Sequence, residues 1–429
     1  MNPMHSLPQQ PFREAILASL RDPSQLEALY RRDRSTFKRT FTALYPEVEE
    51  YATAQCWKAR LDHAGPGISW GGGAELAFVI IAALIAGTLA KLPQFTPLDE
   101  EFFYPRNIGF IVLPVLTAYF AWQNALPRLQ VFVIAFLSLV ALVFINALPK
   151  DPPLGPDSHT LVLSCIHLPL FLWALLGHAW TGGVRSDLGK RIDYLRFNGE
   201  LLIITGLLLV SGMLLTGLTV ALFEVIGVHI GTFYTEYVVV YGLVAAPIVG
   251  TYVVHRNPHL VNAVSPLIAR IFGPLVLITL VIYLGAMLVA GKDPFNDREF
   301  LIIFNALLIG VMAIILFAVA GSARTPSRGI GTIVLLLLAV LTLVVDGIAL
   351  SAIVFRISEW GITPNRLAVL GGNLLIGTNL GWVTQRLAMA VRNRGDLAGV
   401  EDCIARFLPI YTVWTAGVVF VFPFLFGFV

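Results

Sequence analysis

The chain has 429 residues, of which 57% are hydrophobic and only 13% are charged. Soluble domains carry about a quarter of charged residues, so this composition excludes an ordinary soluble protein and predicts a polytopic helical membrane protein. The formal net charge of +2 says little by itself, whereas the distribution of the charges is informative. The three cysteines, Cys56, Cys165 and Cys403, lack CxxC spacing, which predicts neither a disulfide framework nor a metal site.

Residues 1–70 form the one sizeable polar segment, and they carry nine of the 29 Lys and Arg residues. The stretches 11–31 and 35–62 predict two amphipathic helices on either side of the polar sequence RRDRS. We expect a helical hairpin on the cytoplasmic face, where its basic side attracts anionic lipid or binds a cytoplasmic protein partner. Nucleic acid is not an expected partner, because acidic residues interrupt the basic ones and no recognition motif is present.

Residues 71–429 predict an all-α transmembrane bundle of about 11 spans, a number that rests on recurrent apolar runs. Alternate loops differ in charge: 22 Lys and Arg fall on the side of the N-terminus and seven on the other. This asymmetry predicts a bacterial inner-membrane protein with its N-terminus inside and its C-terminus outside. The predicted spans cover positions 74–92, 105–123, 128–148, 159–180, 200–226, 231–254, 266–290, 299–320, 329–354, 364–385 and 405–428.

The loops between these spans are short. The longest, 181–199, predicts a helix that lies in the plane of the cytoplasmic membrane surface. No outer loop exceeds roughly a dozen residues, which leaves no room for a separate catalytic domain. The sequence contains no Walker motif, GxSxG, HExxH or CxxC cluster, so nothing supports ATP-driven transport, serine hydrolysis, zinc chemistry or a cofactor.

Polar residues at membrane depth are concentrated between Asp346 and Asn373, where one apolar helix ends and the next begins. Asp346 lies about nine residues, or about 13 Å, below the predicted outer end of the ninth span. A bare carboxylate is costly there, so we expect Asp346 to face the bundle interior and to be protonated or ion-paired. Two interpretations stay open: a proton- or cation-coupled site, and a structural carboxylate hydrogen-bonded to a neighbouring span.

Thr363 and Pro364 predict an N-cap followed by proline at the first helical position. Arg366 falls in the first turn of that helix, where the backbone N–H groups and the helix dipole favour anions. Together with Arg356 and Asn373, it predicts a binding site for a lipid head group or an acidic solute.

The alternative for these arginines is an internal network. Glu359 is placed to neutralise Arg356, and Arg366 has three candidate acidic partners: Glu224, Glu236 and Asp346. Glu224 and Glu236 end the fifth predicted span and begin the sixth, both toward the outer face. Three tyrosines lie nearby: Tyr234, Tyr237 and Tyr241. Together with the two glutamates they line an outward-facing cavity, or they form an interfacial aromatic belt. Arg298 and Asn305 lie on one face of the eighth span and complete the candidate site residues.

Four segments resemble a bacterial membrane family known as domain of unknown function 4153. They are SPLIARIFGPLVLITLVIYLGAM (265–287), FNDREFLIIFNALLIG (295–310), FRISEWGITPNRL (355–367) and YTVWTAGVVFVFPFLF (411–426). GITPNR is the most distinctive piece. The resemblance spans roughly positions 70 to 429 and implies an integral membrane protein without an established activity.

Three classes of function follow from these features. A transporter or lipid-translocating permease fits the number of spans, the short loops and Asp346, and it is the function that the sequence favours. A non-enzymatic envelope scaffold or sensor, working through the N-terminal hairpin, is the first alternative. The second is an extracytoplasmic glycosyltransferase with a lipid-linked donor, which is based on the acidic run Asp99-Glu100-Glu101 in the first outer loop.

Overall fold

A computed structural model describes most of the chain, and every regular element in the described residues is helical. The chain divides into two compact units, Met1–Ser69 and Trp70–Val429. The described residues are 10–32, 34–63, 72–149, 158–183, 187–225, 228–257, 264–290, 298–320, 330–393 and 397–429.

The N-terminal unit differs from the predicted hairpin, because each predicted helix is divided in two. The four helices are α1 (Gln10–Ala18), α2 (Pro23–Arg32), α3 (Arg34–Val48) and α4 (Ala52–His63). The first division occurs at Asp22, whose side chain accepts hydrogen bonds from the amides of Ser24 and Gln25 at 2.9 and 3.2 Å. This is an N-cap, and the proline that follows it favours a new helix rather than a continued one.

The amphipathic character predicted for 35–62 is visible in α3, whose apolar side is buried in a small core: Phe37, Phe41, Leu44 and Val48. Tyr30 and Trp57 pack their rings around Phe37. The N-terminal unit therefore has a hydrophobic core of its own.

The second unit is a bundle of long helices joined by short connections. Two π-helical turns, Tyr234–Val239 and Gly417–Val421, each join a short helix to a long one. The helices are α5 (Gly73–Ala90), α6 (Leu92–Phe95), α7 (Glu100–Gln123), α8 (Arg128–Ala147), α9 (His159–Thr181), α10 (Leu188–Val225), α11 (Gly231–Phe233), α12 (Val240–Arg256), α13 (Val264–Ala290), α14 (Arg298–Ala320), α15 (Ile330–Trp360), α16 (Pro364–Asn393), α17 (Ala398–Ala416) and α18 (Phe422–Leu425).

Eight helical segments in the described residues are long and apolar enough to cross a membrane, which makes this a membrane protein. They are α5, α8, α9, α10, α11 with α12, α15, α16, and α17 with α18. The helices α7, α13 and α14 lie where the sequence predicts three further spans, so the number of about 11 stays a prediction. The predicted in-plane helix is wrong, because Leu188–Val225 is one continuous helix of 38 residues.

Glycines bring several pairs of helices close together. At four interfaces an aromatic ring of one helix lies against a glycine of its neighbour, where a β-carbon would collide with the ring. Such contacts allow close packing without polar groups. The pairs are Gly87 with Tyr241, Gly177 with Tyr194, Gly199 with Phe317, and Gly371 with Trp414.

The turn between α15 and α16 fixes the register of these two helices. Gly361 adopts a left-handed conformation with φ of +77° and donates its N–H to the carbonyl of Ile357 at 2.9 Å. Thr363 Oγ1 accepts the N–H of Arg366 at 3.3 Å, and α16 begins at Pro364. The predicted N-cap is therefore confirmed, and α15 and α16 run back along each other from this turn.

Candidate functional site

Asp346 lies near the centre of α15 and is only 4% exposed. Its Oδ1 is buried without a hydrogen-bond partner among the described residues, and no ion pair there involves this carboxylate. The hydroxyl of Thr342, one turn away, donates to the carbonyl of Leu338 in its own helix at 2.8 Å and so is not donated to Asp346. A buried carboxylate without donors is unfavourable, so this position calls for a proton or a cation.

The carboxylate has space because α16 presents a glycine to it. A β-carbon on Gly377 would collide with Asp346 Oδ2, so the carboxylate fills the position that a side chain would otherwise occupy. This contact joins the midpoints of two long helices. The sequence therefore places an acid on one helix and the room for it on the next.

Two further buried side-chain oxygens belong to helices that pack against α15 or its neighbour. The Oδ1 atoms of Asn305 on α14 and Asn379 on α16 have no hydrogen-bond partner in the described part of the chain. Asn379 follows Gly377 by two residues, which is about 200° around α16, so it faces α17 rather than Asp346. Asn305 lies on α14, which packs against α15 and α16.

The amides are fixed in different ways. Asn379 is fully buried and donates its Nδ2 to the hydroxyl of Tyr411 on α17 at 2.9 Å, which leaves its oxygen as an acceptor. Asn373 is one turn from Gly377, is 3% exposed, and has a buried Nδ2 without an acceptor among the described residues. Among the described residues, α14, α15 and α16 therefore each carry one buried acceptor oxygen without a partner, and Asn373 adds a buried amide donor.

The depth of this site differs from the prediction. The ninth span was expected to end at 354, whereas α15 continues to Trp360. Asp346 is therefore about 21 Å rather than about 13 Å from the last residue of its helix. Asp346 lies near the midpoint of its helix, and the position of the site relative to the membrane stays a prediction.

The structure separates Arg366 from Asp346. Arg366 Nη1 donates to the carbonyls of Trp360 and Gly361 at 2.9 and 2.7 Å, and its guanidinium lies 5.6 Å from the Trp360 ring centroid. Arg366 thus caps the end of α15. The guanidinium of Arg356 lies 5.8 Å from the same ring, whereas Glu359 is exposed. The geometry supports an internal role for Arg366 with carbonyl partners that were not predicted, and the anion site stays a prediction.

Glu224 and Glu236 are both exposed, whereas Tyr237 and Tyr241 contact Lys91 and Gly87 at the end of α5. The side chain that the sequence missed here is Lys91, which is fully buried. Its Nζ donates to the backbone carbonyl of Glu236 at 2.7 Å and lies 3.5 Å from the ring centroid of Tyr237. The carbonyl at position 236, rather than the carboxylate, is therefore the group that holds this cation.

Arg298 and Asp99 are two further residues to which the sequence assigns a possible function. The side chain of Arg298 lies outside the described residues, so its pairing with Asn305 stays a prediction. Asp99 caps α7, since its side chain accepts the N–H of Glu101 at 3.3 Å. This cap gives Asp99 a structural role and supplies no argument for a catalytic acid.

A second buried carboxylate, Glu75 on α5, was also missed. It is 3% exposed and accepts a hydrogen bond from the Tyr119 hydroxyl at 2.5 Å and another from Arg256 Nε at 2.6 Å, and it forms a salt bridge with Arg256. The network connects α5, α7 and α12. Glu75 and Arg256 lie at the ends of their helices, where sequence reasoning expects charges to face water.

A cavity of about 730 Å³ lies between α7 and α8 and is lined almost wholly by apolar side chains. Its amides are paired, because Asn107 and Asn146 exchange two hydrogen bonds of 2.9 Å. This cavity therefore lacks an unpartnered polar atom such as Asp346 Oδ1.

No protein-family model, curated protein or solved structure matches this chain. The resemblance to domain of unknown function 4153 therefore stays a prediction. Function has to follow from the geometry, and the unpartnered carboxylate of Asp346 is the observation with the clearest chemical meaning.

Proposed function

We propose that this membrane protein is a transporter of the cation-coupled type, in which Asp346 takes up a proton or a sodium ion in the middle of the bundle. The observation that carries the proposal is the buried carboxylate of Asp346, whose Oδ1 has no partner among the described residues. Ionisable residues at this depth in membrane proteins typically serve ion pathways and proton relays.

The chemistry suits a monovalent cation. One carboxylate supplies one negative charge, which a proton or Na⁺ neutralises completely. A proton or ion held by Asp346 also affects the neighbouring helix, because Gly377 of α16 lies directly against the carboxylate.

Chemical labelling tests the site without knowledge of the transported solute. A hydrophobic carbodiimide reacts with protonated carboxyl groups in apolar surroundings, so we expect it to label Asp346 in the purified protein. Sodium protection at constant ionic strength would identify a Na⁺ site, whereas labelling that rises as the pH falls and ignores Na⁺ would identify a proton site. An unlabelled Asp346 under all these conditions would contradict the proposal.

Transport is tested in proteoliposomes under an imposed membrane potential, with a pH-sensitive dye for protons and radioactive sodium for Na⁺. We expect Asp346→Asn to reduce cation movement by about tenfold or more, because the amide cannot exchange a charge. The matched control is Asp402→Asn, which neutralises an exposed carboxylate at the start of α17. Equal flux in the wild-type protein and in Asp346→Asn would exclude Asp346 as the coupling site.

The proposal includes the predicted orientation, with the N-terminus inside, the C-terminus outside and about 11 spans. Alkaline-phosphatase fusions report periplasmic positions. A fusion after Val429 is expected to be active and one after Arg196 inactive, and the reverse pattern would invert the orientation.

A further inference from the structure

A smaller cavity, of about 420 Å³, lies where α8, α9, α10 and α17 meet. Arg191 and His178 line one end of it, close to the last turn of α9 and the first turn of α10. Most of the remaining wall is apolar and includes Leu137 and Leu408. The cavity reaches Trp173, about 12 Å along α9 from its last residue. It therefore has a cationic end near the ends of the helices and an apolar interior.

The cavity opens sideways onto the apolar surface of the bundle. Val133 on α8 and Val413 on α17 both line it, and they are 44% and 73% exposed. Both belong to helices that are long and apolar enough to cross a membrane. A molecule in the surrounding bilayer can therefore enter from the side, whereas a soluble ion meets only the end that holds Arg191.

The polar groups of the cavity differ in what they have available. The Tyr194 hydroxyl donates to the carbonyl of Trp173 at 2.8 Å, and the Thr412 hydroxyl donates to that of Leu408 at 3.0 Å. Arg191 makes one hydrogen bond, from Nη1 to the carbonyl of Ala405 at 3.3 Å, and forms no ion pair within the described residues. No acidic residue lines the described wall. Most of the guanidinium donors are thus left for an anion.

We propose that this cavity binds an anionic glycerophospholipid, with its phosphate beside Arg191 and one acyl chain between α8 and α17. Charge complementarity selects the head group, since basic pockets between transmembrane helices bind anionic lipid heads. A zwitterionic lipid would bring an ammonium group for which the described wall offers no carboxylate. The lining of this cavity includes none of Asp346, Asn305 and Asn379, so the lipid site is tested independently of cation transport.

Native mass spectrometry of the detergent-purified full chain tests the site, with dioleoylphosphatidylglycerol and dioleoylphosphatidylcholine as probes. We expect the wild-type protein to bind the anionic lipid about tenfold more tightly, because the choline ammonium of the zwitterionic lipid offsets the charge of its phosphate and has no carboxylate partner in the described wall. Arg191→Gln should remove this preference, and Arg191→Lys should keep part of it. The control is Arg392→Gln, which neutralises an exposed arginine near the end of α16 and should leave the preference unchanged.

Two further measurements separate a lipid from a free anion. Ala174 lines the cavity, so Ala174→Phe should fill the space for the acyl chain. We expect this variant to bind both lipids more weakly, although the charge of the cavity is unchanged. Inorganic phosphate should not displace the lipid from the wild-type protein at millimolar concentration. Retention of the anionic preference in Arg191→Gln would overturn the proposal, and displacement by phosphate would replace the lipid with a free anion.

Discussion

Glu75 and Asp346 are two buried carboxylates of one bundle with opposite surroundings. Glu75 receives hydrogen bonds from a tyrosine and an arginine, whereas Asp346 has no donor in the described part of the chain. Their exposures, 3% and 4%, are nearly equal. Equal burial therefore accompanies different hydrogen bonding, and under the proposed function the missing partners distinguish Asp346 from the structural acid Glu75.

The difference has a physical basis. A charge that is permanently paired stabilises one arrangement of helices, because separation of the pair would leave an uncompensated ion at low dielectric. A charge that lacks a partner is stable only while something else neutralises it, so its environment responds to protons or cations. The Glu75 network is suited to fixing the ends of α5, α7 and α12, and Asp346 is suited to exchange.

The largest expected effect comes from breaking the paired site. Arg256→Gln leaves Glu75 buried with only Tyr119 as a donor, and we expect it to lower the free energy of unfolding by about 3–5 kcal/mol. Glu75→Gln should cost less, since the Arg256 side chain is 36% exposed and can be hydrated. Thermal unfolding in detergent measures both, with Arg128→Gln at an exposed position as the control. Equal losses in the two variants would contradict this asymmetry.

A smaller effect is expected when the space around the unpaired acid is filled. Gly377→Ala places a methyl group against Asp346 Oδ2, and we expect a loss of about 1–3 kcal/mol from overpacking. The matched control is Gly381→Ala, one turn along the same helix, where no atom lies within 4 Å of the added carbon. Asp346→Ala should recover part of the loss in the Gly377→Ala background, and strict additivity would show that the two residues do not interact.

Asn379, two residues beyond Gly377 on α16, provides a finer test. Tyr411→Phe removes the acceptor of Asn379 Nδ2, and we expect a loss of about 1 kcal/mol in the free energy of unfolding. The control Thr412→Val removes a hydroxyl that bonds only to its own helix. If carbodiimide labelling of Asp346 changes in Tyr411→Phe and not in Thr412→Val, the amide and the acid belong to one site. No change in either variant would separate them.

The smallest expected change in stability accompanies the largest change in function. Asp346→Asn removes a buried charge and breaks no hydrogen bond within the described residues, so the free energy of unfolding should change by less than about 1 kcal/mol. Thermal unfolding of Asp346→Asn and Arg256→Gln in the same detergent compares the two changes in stability. A loss as large as that of Arg256→Gln would mean that Asp346, too, is a structural acid.

The sequence indicates Asp346 because a carboxylate within an apolar run is costly, and it indicates Asn305 because this residue shares a helix face with Arg298. It also found the N-cap at Thr363, whose geometry depends on neighbouring residues only. Gly377 could not be assigned as the partner of Asp346, because this contact joins two helices whose register is set by the turn at Gly361. Long-range register is not encoded in a local pattern.

The Glu75 network shows a second limit of prediction. Glu75, Tyr119 and Arg256 come from three separate helices, and each is ordinary for its position near a helix end. The boundaries of α10 and α15 show a third, since hydropathy ends a span where polar residues begin while the helix itself continues. Helical hydrogen bonds do not depend on whether the side chains face lipid or water.

The continuity of α10 has a mechanical consequence. Near its start, Arg196 Nη2 donates to Glu401 Oε1 of α17 at 2.7 Å, and its last 16 residues pack little against the rest of the chain. Between these two parts, Leu201 and Thr205 pack against Gly250 of α12, so the helix is held well beyond the ion pair. The last 16 residues lie beyond that contact and extend about 24 Å, and a tilt of about 10° of this part would carry its end through about 4 Å.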